Sequence, residues 1–233
     1  MAAFLRWLLG LALLPLCWGI LRTLVFALTA AADERGAFSV ESVSLLAGMV
    51  AFSMCWATIS HPVRAYVLGH ELTHAMWGLL FGARPSDVRV SAEGGSVKLT
   101  KSNFIITLAP YFFPFYTFVV LVAALVTWAI MRELPFLPLW LFLVGFTWAF
   151  HVLFTLATLT RRQPDVRLYG RIFSWVVIWI VNVGIVLAWL AAMTDLTFGR
   201  LWSRLAGDVV SAYAAVPAAF EWVCRLVRGA FAG

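Results

Sequence analysis

The chain has 233 residues, 63% of them hydrophobic and 12% charged, with 12 tryptophans and a mean hydropathy of +0.93. That much apolar surface excludes a water-soluble domain. It fits an all-α polytopic membrane protein of about six helices of about 20 residues each. The formal net charge of +6 is spread too thinly for nucleic acid and suits loops beside anionic lipid headgroups, while Cys17, Cys55 and Cys224 stand too far apart for a metal or disulfide framework.

In chain order, the first apolar run covers Phe4 to Leu28, with Arg6 at its start and Arg22 inside it. Small residues near Ala32 would suit signal cleavage, but the run is longer than the roughly 7–15 apolar residues of a signal peptide and reads as a retained span. After the polar segment AADERGAFSVES, a second span runs from Ser44 to Ile59 and ends at the HPVR turn. The third, Ala65 to Phe81, contains His70-Glu71-Leu72-Thr73-His74. The fourth, Phe104 to Met131, contains Pro110 and Pro114, which predict a kink or an unwound turn. The fifth runs from Phe136 to Leu159 and the sixth from Ile172 to Met193, separated by the polar stretch TRRQPDVRLYGR.

Two segments differ in kind. Residues 87–101 alternate with period two around Gly94-Gly95, which predicts a β-hairpin. A two-residue turn would pair Val90 with Leu99, Ala92 with Val97, Arg89 with Thr100, Ser91 with Lys98 and Glu93 with Ser96. Residues 199–233 place Arg200, Arg204, Asp208 and Ser211, then Glu221, Arg225 and Arg228, at helical spacing on either side of Pro217. They read as an amphipathic interfacial tail after a membrane domain of residues 1–198, and as the place for any protein partner.

His70 and His74 are spaced i and i+4, so both imidazoles lie on one helix face, about 6 Å apart, where they can share a metal. Glu71 lies about 100° round the helix, suited to act as general base for a water activated by the metal. Four histidines and six glutamates would fall into this spacing by chance only about 0.002 times in such a chain. Ionisable side chains in a membrane segment are functional candidates by default. Zinc in such sites takes three protein ligands and leaves one position open. For the third, His151 lies at a depth like that of His74, about 14 Å against about 12 Å from the corresponding helix ends. Asp165 follows the chain break at Pro164, where an acid also suits the first turn of a helix. On spacing alone the two are even. His61 and Glu133 should lie on the opposite side from the loop that follows the motif.

GHELTHAMWGLLFGARPSDVRV, the Gly-Gly hairpin and TLAPYFFP together resemble the site-2 proteases, a family of intramembrane zinc metalloproteases. The resemblance covers residues 60–175 and is most specific at His70-Glu71-x-x-His74. It implies a Zn2+ cofactor held by His70, His74 and Asp165, with His151 as the alternative third ligand. Asp165 inherits its role by position, although QPDVRLYG lacks the family's Leu-Asp-Gly. The resemblance also implies hydrolysis of a peptide bond in a membrane protein or peptide substrate. The hairpin, through Val90, Gly94, Gly95, Val97 and Leu99, would bind that substrate by strand addition. The compact form suggests a prokaryotic cytoplasmic membrane. Nine Lys and Arg on the site's face against seven on the other put that face in the cytoplasm. The competing reading is a non-catalytic membrane scaffold or partner-binding protein that keeps the fold. A protease of the type that trims prenylated proteins would need a later glutamate ligand, and no glutamate is suitably placed for it.

Overall fold

The computed structural model describes all residues except 1, 36–38, 60, 92, 162, 195 and 232–233. Its contacts divide the chain into two units, residues 37–169 and residues 1–36 with 170–233. The chain is an all-α multi-pass membrane protein with one small hairpin. Among the described residues five helical stretches are long and apolar enough to cross a membrane, or six if one bent pair is a single span.

Residues 37–169 hold the motif. Helices α3 (Val40–Thr58) and α7 (Leu137–Leu159) pack at very short range through a pair of glycines. A Cβ on Gly48 would fall on the Phe142 carbonyl oxygen, and one on Gly145 would fall on that of Leu45. Small residues let helix backbones approach in this way where no hydrophobic effect drives association. Beside the crossing, Phe52 meets Phe146 edge-on at 5.1 Å, and Phe154 stacks on Tyr66 at 4.7 Å. This aromatic core ties α3 and α7 to α4 (Val63–Leu80), the helix of the motif.

Helix α4 is not among the spans selected by length and composition. Arg64, His70, Glu71 and His74 lower its hydropathy, and much of the helix is covered by other elements. Residues Val67, Glu71, Ala75 and Gly78 form one buried stripe and Gly69 with Thr73 a second. The second stripe faces α6, since a Cβ on Gly69 would come within 2.9 Å of the Tyr116 ring.

The expected proline break is present. Helix α5 (Phe104–Phe112) and helix α6 (Phe115–Met131) meet at 76°. Every residue of α5 from Ile106 to Phe112 is buried. Asn103 caps it by accepting a hydrogen bond from the Ile106 amide at 2.9 Å.

Strands β1 (Pro85–Val90) and β2 (Gly95–Leu99) form the hairpin, but in another register from the one expected. Val90 pairs with Gly95 and Arg89 with Ser96, while Pro85 pairs with Leu99. The loop is closed at Ser91, whose amide and hydroxyl both donate to the Gly94 carbonyl at 2.9 Å, so four residues rather than two make the turn. Ala92 lies outside the described residues. A bulge between Ser86 and Arg89 shifts the pairing by one further residue. There Asp87 adopts φ 53° and bonds Lys98 at 2.7 Å and Arg89 at 3.0 Å. These two cations hold the Asp87 carboxyl below its ordinary range.

In the other unit, α1 (Ala2–Ala12) and α2 (Leu14–Arg35) extend the first span, and α9 (Arg171–Met193) packs on both. The C-terminal residues form α10 (Phe198–Ala214) and α11 (Val216–Phe231). Helix α10 runs antiparallel along α2 and packs on it. Tyr213 donates to the Ala12 carbonyl at 2.8 Å, and a Cβ on Gly19 would come within 2.8 Å of Val209. Buried Asp208 accepts from Arg204 at 2.8 Å and Thr23 at 3.1 Å and pairs with Arg22 at 3.4 Å.

Because the added atom alone collides with backbone, Gly48→Ala should destabilise the α3–α7 crossing by about 1–3 kcal/mol. Gly184→Ala, in α9 with nothing within 4 Å of the added atom, should leave stability unchanged or slightly raised. Thermal unfolding of both variants in detergent checks this.

Candidate metal centre

Three side chains from two elements meet in residues 37–169. Helix α4 presents His70 and His74 on successive turns, and the short helix α8 (Pro164–Tyr169) presents Asp165 in its first turn. The Asp165 Oδ2 lies 3.5 Å from His70 Nε2 and 3.6 Å from His74 Nε2. One potential ligand atom from each of the three lies within 4.8 Å of the others. Zinc bonds of about 2.0–2.2 Å in a tetrahedron put neighbouring ligand atoms about 3.3–3.6 Å apart, so both nitrogen–oxygen separations suit one zinc ion.

The groups behind the three are equally specific. His74 Nδ1 lies 2.9 Å from the Ile106 carbonyl oxygen. A carbonyl only accepts, so Nδ1 carries the hydrogen and, in the neutral ring, Nε2 turns a lone pair toward Asp165. Tyr111 donates its hydroxyl to Asp165 Oδ2 at 3.1 Å, and the Tyr66 hydroxyl lies 3.4 Å from His70 Nδ1. Partners of this kind fix the rotamers and tautomers of metal ligands. Burial pushes the Asp165 carboxyl up, but the imidazoles of His70 and His74 outweigh it and hold the group well below the ordinary carboxylate range. An anion and two nitrogen atoms thus converge on one point, an arrangement that calls for a proton or a metal cation between them.

Glu71, 6% exposed, lies beside the cluster without belonging to it. It shares with His70, His74 and Asp165 a cleft of about 1120 Å3. The volume exceeds the roughly 300–1,000 Å3 of a typical small-molecule site. Gly94 of the hairpin loop and Gly95, Val97 and Leu99 of strand β2 line one wall; Val90, on β1, does not line it. The hairpin folds back along α4, so its tip reaches the first half of that helix. A Cβ on Gly95 would meet Glu71 Cγ at 2.7 Å and Val67 Cγ1 at 2.6 Å. Only glycine lets the strand come so close to the carboxylate.

The remaining candidates divide differently from their sequence positions. His151 is buried on α7 and lies outside the cluster of potential ligands. With His70, Thr73 and Thr147 it lines a separate cavity of about 20 Å3. His61 does not lie away from the site: it lines the cleft and meets the Trp56 ring edge-on at 3.9 Å. The back-folded hairpin extends the cleft to the start of α4, which is why His61 borders it. Sequence reading missed Tyr111 and Ile106, both distant along the chain from what they hold.

Tyr111→Phe removes the hydrogen bond to Asp165 and should weaken metal affinity about tenfold, whereas His151→Ala should leave it within twofold of wild type. Cobalt(II) titration of detergent-purified protein reads both values.

No protein-family model, curated protein or solved structure matches this chain.

Proposed function

We propose that the chain is a membrane-embedded zinc endopeptidase that hydrolyses a peptide bond of a membrane-associated protein or peptide. The observation that carries this reading is the meeting of His70, His74 and Asp165 at ligand separations beside Glu71, in a cleft with a strand as its wall. A structural metal site would have four protein ligands and no need of a neighbouring buried carboxylate. The resemblance of the motif, the hairpin and the proline break to the site-2 proteases points the same way.

A bound zinc ion would supply a Lewis acid that acidifies water and polarises a carbonyl. The chain's own residues do the rest. His70, His74 and Asp165 hold the cation, with Tyr111 and the Ile106 carbonyl fixing their orientation. Glu71 accepts a proton from the attacking water as the new C–O bond forms. It returns the proton to the amide nitrogen as the C–N bond breaks, and so ends ionised as it began. Strand β2 offers backbone groups to an extended substrate through its Gly95–Leu99 face of the cleft. A helical substrate keeps its amides paired internally, so the bond to be cut must first be drawn into an extended form.

Zinc per chain after chelator-free purification tests the reading together with cleavage of co-expressed single-span reporter peptides. Wild type should carry about one zinc, and His74→Ala and Asp165→Ala should lose it. Glu71→Gln should keep the metal while cleavage falls by about 10²–10⁴-fold. A wild type without zinc, or a Glu71→Gln variant that cleaves at the wild-type rate, would overturn the proposal and favour a non-catalytic scaffold.

A further inference from the structure

We infer that Pro110 is a positioning residue for His74, acting through the carbonyl that it leaves free. In an α-helix the carbonyl of residue i accepts from the amide of residue i+4. For Ile106 that amide would belong to Pro110, which has none, and Pro110 lies inside α5. The proline ring also crowds the carbonyl four residues before it and turns it outward from the helix. Ile106 is 1% exposed, so water is a poor substitute for the missing donor. The donor present is His74 Nδ1, 2.9 Å away on the neighbouring helix α4.

The dependence runs both ways. The carbonyl needs a donor, and a ring that donates from Nδ1 keeps Nε2 free and aimed at Asp165, 3.6 Å away. An alanine at position 110 would restore the amide hydrogen, and the helix would compete with His74 for the same oxygen. Pro110 is thus a backbone device that fixes the tautomer of a side chain it does not ligate. Pro114 is its natural control. It also interrupts the helix, at the N-cap of α6, but the carbonyl four residues before it is that of Pro110. The inference rests on the proposed role of His74 as a ligand, although its first readout needs no metal.

The experiment compares wild type, Pro110→Ala and Pro114→Ala, each labelled with 15N-histidine and purified in detergent. Histidine 15N shifts of the metal-free proteins report the His74 tautomer, and titration with cobalt(II) alone reports affinity. Wild type and Pro114→Ala should show His74 protonated at Nδ1. Pro110→Ala should lose that preference and bind cobalt about 10–100-fold more weakly, with thermal unfolding showing that it remains folded. A wild-type His74 protonated at Nε2 alone would overturn the inference without reference to any variant. So would a Pro110→Ala protein with unchanged tautomer and affinity. If the tautomer shifts in Pro110→Ala but wild type binds neither cobalt nor zinc, the role of Pro110 stands and the metalloprotease reading fails.

Discussion

An ionisable group inside an apolar bundle must find its partners within the protein, because hydrocarbon offers none. Helix α4 brings two imidazoles and a carboxylate into such a bundle on five consecutive residues. The elements around it follow from that burden. Strand β2 covers one stripe of α4, with Leu99 against Gly78 and Gly95 against Glu71. Helix α6 covers another through Tyr116, whose hydroxyl also donates to the Ala65 carbonyl at 2.6 Å. The aromatic core of α3 and α7 reaches the same helix through Tyr66. His70, Glu71, His74 and Asp165 all line the cleft.

The break between α5 and α6 gives a second view of the same constraint. Each proline withdraws an amide, which is costly in a membrane unless the freed carbonyl is used elsewhere. At Pro110 the freed carbonyl is used by His74, so a defect in one helix becomes a fixed orientation in the next. The bend of 76° also allows α5 to be buried as a short interior helix while α6 runs on as a longer apolar one.

Much of this was legible in the sequence where one physical signal dominated. Long apolar runs located α3, α7 and α9, and two prolines four residues apart located the break. The Gly-Gly alternation located the hairpin but misplaced its register, because the chain turns over residues 91–94, closed by Ser91, and a bulge at Asp87 moves the pairing by one further residue. Such side-chain-to-backbone bonds leave no periodic trace. The i, i+4 spacing brought His70 and His74 to one face. It carried no information on what would face them, so on spacing alone Asp165 and His151 were even. The family resemblance favoured Asp165, and in the structure α8 rather than α7 supplies the third side chain of the cluster. Tyr111 lies 54 residues from Asp165, beyond any local pattern. Ile106 could have been found: a proline four residues after a buried position announces a carbonyl in need of a donor.

Two carboxylates of the chain show why the cluster suits a cation. Asp208 and Asp165 both accept a hydroxyl hydrogen, from Thr23 and from Tyr111 at 3.1 Å each. Their charged neighbours differ. Asp208 faces two guanidiniums, Arg204 and Arg22, which are always charged and satisfy it in full. Among the described residues the ion-pair partners of Asp165 are His70 and His74, whose charge depends on a proton. For one of those rings the hydrogen is already committed to a backbone carbonyl on its far side. A helix clamp needs only the first kind of partnership, which requires nothing from outside. The second draws its positive charge from a proton or a bound cation, and it opens on the cleft that Glu71 also lines. A divalent ion held there would answer the Asp165 charge and sit beside the Glu71 carboxylate, the arrangement on which the proposed hydrolysis rests.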